Sequence, residues 1–299
     1  MNFKELFGCQ YPIIAAPMNK VSDVGLAIAC HYAGIFPSLS LYNYLEPDSL
    51  GGAIDAFQTK TGSNKIMLSL DNTEFADKGI QELILKLKIS HLEILGDNNI
   101  TQSAGWDQFL KDSTELQKEG IKILLKSLDS SNVSPDLDGV ILKGNTGAGR
   151  GVEWIDIDYA LLNIQRRYPA TSIIMSGGIS RSRDVKKYLN MGCVAVAVGT
   201  LLAASEESCV SIETKKQMIQ STYENVVRLK NARQNALVFS EISIDDDNNT
   251  QALVKGIASP NEGHIFAGKG INEITSIKPV KDIVEDLIKD LVFLNVSSP

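Results

Sequence analysis

The stretch that decides the fold is residues 172–200, SIIMSGGISRSRDVKKYLNMGCVAVAVGT. It contains two apolar runs, Ser172–Ser176 and Ala195–Val198, and each run is followed directly by glycine. Between them, Arg183–Leu189 has the apolar spacing of an amphipathic helix. Two continuous apolar runs joined by a helix predict a parallel βαβ unit, because strands covered on both faces carry apolar residues without alternation.

Six further apolar runs precede this unit and repeat its pattern of strand, turn and helix. The strands predicted from them are Ile13–Ala16, Gly34–Ser40, Lys65–Leu70, His91–Leu95, Lys122–Lys126 and Gly139–Lys143. Helical spacing is found at Val24–Ala33, Glu74–Leu87 and Asp158–Tyr168, and more weakly at Thr101–Glu119 and Asp129–Leu137. Eight such units over about 200 residues predict a TIM (β/α)8 barrel. A doubly wound open sheet is the alternative, because counting strands does not prove that the sheet closes.

The pattern changes after the eighth predicted strand. Residues Ser205–Leu229 have helical spacing, and a strand is predicted around Ala236–Ile242. We therefore expect a barrel built from residues 1–205 and 276–299. Residues 206–275 are expected to form a smaller, mostly helical subdomain that covers the active-site end of this barrel.

The chain has 299 residues, of which 43% are hydrophobic and 22% charged, and its formal net charge is −7. The negative charge argues against nucleic acid as a partner, because such a surface needs a basic patch. The apolar runs are too short to span a membrane, so no membrane partner is expected. The opening segment mixes charged and apolar residues unlike a signal peptide, and the four cysteines have no CxxC spacing. These features predict a protein of the reducing cytoplasm.

Glycines follow the last two predicted strands, as Gly177-Gly178 and as Gly199-Thr200. Without a Cβ, glycine lets backbone N–H groups approach a phosphate, and barrels often bind phosphate after strands seven and eight. Two such sites favour phosphate binding over simple tight turns. A longer run, GNTGAGRG at residues 144–151, follows strand six and lacks the spacing of a nucleotide P-loop.

Three blocks of the chain resemble the nitronate monooxygenase family, formerly called 2-nitropropane dioxygenases. They are YPIIAAPM at residues 11–18, the stretch at residues 173–208, and FAGKG at residues 266–270 followed by IKP at residues 277–279. FMN-dependent enoyl-acyl carrier protein reductases share this arrangement. The blocks follow the family's order across almost the whole chain, so together they are more specific than any one of them alone.

The resemblance implies an FMN-binding barrel. Ala16, Pro17 and Met18 would lie against the isoalloxazine ring. Ser69 and Lys143 stand where the family has an Asn and a Gln near the flavin. By the same correspondence, the residues that would hold the phosphate or approach the flavin are Gly177, Gly178, Gly199, Thr200, Gly268 and Gly270.

The chain departs from the family at its catalytic position. Arg150 stands where the family has the His that takes a proton from carbon, and arginine stays protonated and cannot act as a base. Lys143 and Arg150 are candidate catalytic residues because a cation can stabilise a reduced flavin or an anionic substrate; ordinary ion pairing is the alternative. His264 is a third candidate, because it precedes the segment Ala267–Gly270 and could reach the edge of the flavin; a surface loop position is the alternative. Tyr42 and Tyr44 follow strand two and are expected to line the pocket or to donate a proton.

We therefore expect an FMN-dependent oxidoreductase that acts on a small carbon acid or an enoyl thioester, in fatty acid or polyketide metabolism. NADH or NADPH is a candidate electron donor, an acyl carrier protein a candidate partner, and a homodimer a candidate assembly. Because the family's His is replaced, the main alternative is a redox-inactive barrel that binds FMN or another phosphate ligand, or serves as a partner subunit. A phosphosugar isomerase or aldolase that uses Lys143 for a Schiff base is a third reading.

Overall fold

The computed structural model describes residues 1–44, 46–96, 105–127, 133–150, 156–229, 234–238, 249–259 and 262–291. Eight parallel strands form its central sheet. They are β1 (Ile13–Ala15), β2 (Ser38–Ser40), β3 (Met67–Asp71), β4 (His91–Leu95), β5 (Lys122–Ser127), β6 (Gly139–Lys143), β8 (Ile173–Ser176) and β9 (Ala195–Val198). The two-residue strand β7 (Gly149–Arg150) lies outside this sheet, so β8 and β9 are the seventh and eighth barrel strands.

The sheet closes on itself. Its strands are neighbours in the order β1-β9-β8-β6-β5-β4-β3-β2, and a parallel bridge between Ile14 and Phe36 joins the two ends. The Phe36 N–H donates to the Ile13 carbonyl at 2.9 Å, and the Phe36 carbonyl accepts from the Ala15 N–H at 2.9 Å. The predicted TIM barrel is therefore confirmed, rather than the open sheet.

Helices surround the barrel and one helix precedes it. They are α1 (Phe3–Leu6), α2 (Val24–Tyr32), α3 (Pro47–Thr61), α4 (Asn72–Ala76), α5 (Lys78–Lys86), α6 (Gly105–Lys118), α7 (Ile157–Arg167), α8 (Ser182–Asn190), α9 (Thr200–Ala203), α10 (Ile212–Gln220), α11 (Asn249–Ala258) and α12 (Val280–Ile288). Leu6 and Phe7, at the end of α1, pack into the same apolar cluster as Ile14 and Phe36 of the barrel interior. The amino-terminal end of the barrel is therefore filled by side chains.

Several predicted elements differ from those in the structure. The helix expected at Glu74–Leu87 is two helices, α4 and α5, and helix α3 was not predicted. The helical reading of Ser205–Leu229 is wrong at its end, because only α10 is an α-helix there and Val226–Leu229 is a strand, β10. Of the weak pattern at Asp129–Leu137, residues 133–137 are not helical and residues 129–132 lie outside the described ranges.

The region after the eighth barrel strand contains a second, smaller sheet. In it, β10 pairs antiparallel with β11 (Gln234–Val238), and β11 pairs antiparallel with β12 (His264–Ile265) and with β7. Helices α10 and α11 belong to the same stretch. The boundaries of a separate subdomain at 206–275 stay a prediction. Within the described ranges, no helix combines the length and apolar content that crossing a bilayer requires.

Candidate active site

A cavity of about 240 Å³ opens at the carboxyl-terminal ends of the barrel strands. Four residues predicted to contact a flavin line it: Pro17, Met18, Ser69 and Lys143. The loop after β1, the ends of β3 to β6 and the segment around Phe266 form its walls. Because barrels of this type carry their chemistry at this end, the cavity is the candidate active site.

A buried ion pair lies in the wall of the cavity. The Lys126 ammonium is 2.7 Å from Glu93 Oε1, and the Ser69 hydroxyl donates to the same oxygen at 3.1 Å. Glu93 is 1% exposed and Lys126 is 8% exposed. The second carboxylate oxygen, Oε2, is buried and has no hydrogen-bond partner among the described residues. A buried oxygen without a donor is costly. Glu93 lines the cavity, but its Oε2 atom is itself shielded from solvent, so a ligand could donate to it only after the side chain turned.

Strand periodicity explains why these polar side chains face inward. Residues two apart in a strand share a face. Met67 and Leu124 belong to the interior apolar cluster, so Ser69 and Lys126, two positions later, face the interior as well. Sequence reasoning missed Glu93 and Lys126 because it treated their strands as continuous apolar runs. A charged residue on the inward face near the end of such a run is the signal that could have identified them.

The loop after β1 is held against the cavity by side-chain hydrogen bonds. The Met18 N–H donates to Ser22 Oγ at 2.8 Å, and the Ser40 hydroxyl donates to Asn19 Oδ1 at 2.8 Å. The second bond joins this loop to the end of β2. Pro17 and Met18 are thereby fixed as an apolar wall beside the ion pair.

The segment at residues 144–149, here called the glycine loop, forms another side of the cavity. The side chain of Lys143 is buried, and its Nζ donates to the Ala148 carbonyl. On the far side of the loop, the Lys269 N–H donates to the Thr146 carbonyl at 2.8 Å. The glycine loop is therefore tied both to β6 and to the segment that carries Lys269.

The structure brings the four residues predicted to hold a phosphate together with two glycines predicted to approach the flavin. This set, here called the glycine cluster, is Gly177, Gly178, Gly199 and Thr200, with Gly268 and Gly270. The Gly268 N–H donates to Thr200 Oγ1 at 3.1 Å, and a Cβ on Gly270 would lie 3.6 Å from Thr200 Cβ. Gly177 and Gly178 have φ of +97° and +73°, which favours glycine there. Of the described residues that line the cavity, however, none belongs to the glycine cluster.

Residues of the glycine loop lie against both the cavity and the glycine cluster. Ala148 and Gly149 line the cavity, whereas Thr146 lies against Gly178 and Gly268 on the other side. Ala16, predicted to contact the flavin ring, is also absent from the described lining of the cavity, and its Cβ lies 3.5 Å from the position that a Cβ on Gly199 would take. The cofactor residues inferred from the resemblance thus fall into two groups. Pro17, Met18, Ser69 and Lys143 line the cavity, whereas Ala16 and the glycine cluster do not.

The predicted catalytic residues other than Lys143 are placed differently. His264 lies in β12, is 1% exposed and does not line the cavity, although Ile265 and Phe266 do. Burial lowers the pKa of His264 to about 4. For Arg150 the structure describes the backbone, which pairs with that of Gln234 in β11. The catalytic roles of these two residues stay predictions, and the position of His264 does not favour one.

Two carboxyl groups and a tyrosine complete the lining of the cavity. Asp71 and Glu74 cap helix α4 reciprocally: Asp71 Oδ1 accepts from the Glu74 N–H at 2.8 Å, and Glu74 Oε2 accepts from the Asp71 N–H at 2.7 Å. Burial raises the pKa of the Glu74 carboxyl, and the negative charge of Asp71 raises it further. The hydrogen bond from the Asp71 N–H lowers this pKa but does not cancel the rise. Tyr42 lines the same cavity.

Among the described residues, no three His, Cys, Asp or Glu side chains form a group that could hold a metal ion.

Comparison with known proteins identifies relatives by structure. No protein-family model matches the chain, and no curated protein matches it. FabK from Thermotoga maritima has a TM-score of 0.81 and 20% identity over 97% of this chain and 96% of its own. A nitroalkane oxidase from Streptomyces ansochromogenes has a TM-score of 0.77 and 17% identity over 97% of this chain and 98% of its own.

A third similar structure is the enoyl reductase domain of MlnA, from the macrolactin biosynthesis cluster of Bacillus amyloliquefaciens. Its TM-score is 0.71, with 12% identity over 98% of this chain and 97% of its own. All three likenesses extend over nearly the whole chain. The resemblance stated from the sequence is therefore confirmed at the level of the fold.

Proposed function

We propose that this protein is an FMN-dependent oxidoreductase of the nitronate monooxygenase or enoyl-acyl carrier protein reductase type. The observation that carries the proposal is the buried pair of Glu93 and Lys126 in the lining of the cavity at the carboxyl-terminal end of the barrel, with Glu93 Oε2 lacking a donor among the described residues. The shared fold of a nitroalkane oxidase and an enoyl reductase domain supports it.

The polar and apolar residues of the cavity would suit the ring of a flavin, whose edge carries both an N–H donor and carbonyl acceptors. Glu93 would accept a hydrogen bond from that ring. Lys126 beside it supplies a cation for a carbonyl oxygen. Pro17 and Met18 supply apolar contact in the same cavity. When bound, FMN supplies the capacity to take up or deliver a hydride.

The glycine cluster fits a phosphate by its composition. Loops after β8 and β9, together with the Gly268–Gly270 turn, bring backbone groups together where no Cβ shields them. Thr146 lies against two of these glycines, Gly178 and Gly268.

The chain's own residues supply charge and protons around the ring. The charge of Lys126 is balanced by Glu93. Lys143 places a second positive charge at the cavity, which would stabilise negative charge on a reduced flavin. Glu93 orients Lys126 through their ion pair. Glu74 has a raised pKa, and it is our candidate for the group that exchanges a proton with the substrate in place of the family's His.

The substrate that fits this proposal is a small carbon acid or an enoyl thioester, with NADH or NADPH as electron donor in the second case. An acyl carrier protein as partner and a homodimer as assembly also remain proposals. A redox-inactive barrel is the second candidate function, because Arg150 stands where the family has its catalytic His.

The test is the visible absorption spectrum of the protein after loading with FMN and gel filtration. We expect the two flavin bands to elute with the protein. They should be lost in the double variant Glu93→Leu/Lys126→Met, which stays folded because apolar residues can replace a buried ion pair. Leu162→Ala, a change at a side chain that is 55% exposed on α7, is the matched control and should retain the bands.

Two further results decide the class of enzyme. If the wild-type protein stays colourless after loading with FMN and also after loading with riboflavin, the flavin proposal is wrong. If the bands remain, anaerobic bleaching by NADH or NADPH indicates a reductase. Bleaching by a nitronate alone, with recovery in air, indicates an oxidase.

A further inference from the structure

A lysine at the rim of the cavity has a backbone conformation that residues other than glycine rarely adopt. Lys20 has φ of +62° and lies between Asn19 and Val21, which both line the cavity. Its N–H donates to Asn43 Oδ1, and Cys209 Sγ donates to its carbonyl oxygen at 3.3 Å. A left-handed conformation costs free energy in a residue that has a Cβ. The surrounding contacts therefore hold Lys20 in a conformation that glycine would adopt more easily.

Lys88, which also has a positive φ, shows what an ordinary reason for this conformation looks like. It has φ of +54° and directly follows the end of helix α5. The Lys88 N–H donates to the Leu85 carbonyl at 3.1 Å, and the Ile89 N–H donates to the Ile84 carbonyl at 3.2 Å. These two bonds close a helix end, where a left-handed residue is common. Lys20 follows no helix, so helix capping does not account for its conformation.

The side chain of Lys20 carries its ammonium group to the wall of the cavity. Its Nζ lies 4.9 Å from the ring centroid of Tyr42 and donates to the Tyr42 carbonyl at 3.1 Å. Tyr42 itself lines the cavity. Among the described residues, no carboxylate forms an ion pair with Lys20, and Asp23 nearby caps helix α2 through the Leu26 N–H. The charge of Lys20 can therefore act on a ligand that contacts Tyr42, because charges interact over roughly 8 Å in physiological salt.

The lining of the cavity has more acidic than basic groups. Its described carboxyl groups belong to Asp71, Glu74 and Glu93, and its described cations are Lys126 and Lys143. An anion that enters would be repelled by this excess of negative charge. A cation held at the rim offsets the excess without occupying space in the cavity.

We propose that Lys20 is a specificity-determining residue that favours negatively charged substrates over neutral ones of the same shape. The inference rests on the proposed function, because it assigns the substrate to this cavity. Of the two substrate classes proposed above, it favours the anion of a small carbon acid, such as a nitronate. An enoyl thioester is uncharged at its reacting end and gains less from this cation. The strained backbone of Lys20 is what places the charge at the rim.

Calorimetric titration with benzoate and with benzamide tests the inference without a measurement of activity. The two probes have nearly the same shape, and only benzoate is charged at neutral pH. The protein is first loaded with FMN and passed through gel filtration, so that the flavin bands report separately whether FMN is retained. We expect the wild-type protein to bind benzoate more tightly than benzamide, and added salt to reduce this preference.

Three variants separate the charge of Lys20 from its other contacts. Lys20→Met removes the charge and should weaken benzoate binding by about fivefold, while benzamide binding stays unchanged. Lys20→Arg keeps the charge and should behave like wild type. Lys88→Met is the matched control, because it removes a lysine with the same left-handed conformation before β4, at the opposite end of the barrel. It should also behave like wild type.

The outcomes distinguish this inference from the flavin function. If FMN is retained and Lys20→Met binds benzoate as well as Lys88→Met does, the inference is wrong and the flavin function stands. If FMN is not retained but benzoate binding falls in Lys20→Met alone, the inference is supported and the flavin function fails. If benzoate and benzamide binding fall together in Lys20→Met, Lys20 maintains the shape of the cavity and the inference is overturned. It is overturned as well if benzoate binds none of the four proteins.

Discussion

The pair of Glu93 and Lys126 is a costly arrangement for the fold alone. Removing two charges from water is seldom repaid by their attraction, and apolar residues of similar volume often serve stability as well or better. One oxygen of Glu93 also lacks a donor among the described residues. Polar groups of this kind, facing a cavity, are what a ligand site requires and what a purely structural core avoids.

A buried histidine at the opposite end of the barrel makes stability depend on pH. His91 Nε2 lies 2.7 Å from the Leu6 carbonyl oxygen, so Nε2 carries the proton that it donates. The ring stacks on Phe7 with centroids 5.3 Å apart. Mainly because of burial, the pKa of His91 is lowered to about 4.

We predict that stability falls as the pH drops from 7 to 5. In the unfolded chain His91 takes up a proton near pH 6.5, whereas in the folded protein it does so only near pH 4. The contribution of neutral His91 to the free energy of unfolding is therefore complete above about pH 6.5 and is lost as the pH falls toward 4. Urea unfolding at both pH values should show that His91→Gln loses about 2 kcal/mol less than wild type over this interval. Comparing the change between the two pH values in each protein cancels the constant cost of losing the His91–Leu6 hydrogen bond in the variant. An equal loss in both proteins would contradict the assignment to His91.

Among the elements, helices α4 and α5 show how caps override periodicity. Apolar spacing runs through Glu74–Leu87, yet Asp77 has ψ of 117° and separates two helices. Its carboxylate accepts hydrogen bonds from the Gly79 N–H at 2.7 Å and the Ile80 N–H at 3.2 Å. A side chain that satisfies two free N–H groups makes a new helix start favourable at that point.

We predict that Asp77→Ala lowers the free energy of unfolding by about 1 kcal/mol, the usual worth of an N-cap. Asp77→Asn is the matched control, because its side-chain oxygen still accepts from the same N–H groups. Equilibrium unfolding of the three proteins in urea measures the effect. Equal losses in both variants would assign the effect to the charge rather than to the cap.

Closure of the whole barrel depends on the contact between its first two strands. Phe36, just before β2, provides the bridge to Ile14 and is fully buried in the interior cluster. Its ring lies 4.8 Å from that of Phe7 and 4.6 Å from that of His91, measured between centroids. Side-chain packing at this seam adds to the backbone hydrogen bonds that close the barrel.

We predict that Phe36→Ala destabilises the protein by about 3–5 kcal/mol, because a buried ring is replaced by a cavity. Guanidinium unfolding should show this loss within one cooperative transition. Leu162→Ala, at an exposed position, should change stability by less than about 0.5 kcal/mol. A loss in Phe36→Ala as small as in this control would mean that the seam contributes little.

The sequence by itself determined the order of strands and helices and the places where glycine follows a strand. These are local properties: an apolar run such as Ile173–Ser176 and the turn at Gly177-Gly178 depend on neighbours along the chain. Eight strand–helix units predicted the barrel, and the resemblance at the start, middle and end of the chain then predicted an FMN site on it.

Only the tertiary structure decided which side chains share the site. Glu93 and Lys126 lie 33 positions apart and meet because β4 and β5 pair in one register. Thr146 contacts Gly178 and Gly268 because loops from three parts of the chain pack together. Register and loop packing depend on contacts across the whole fold, and such contacts leave no periodic pattern in the sequence.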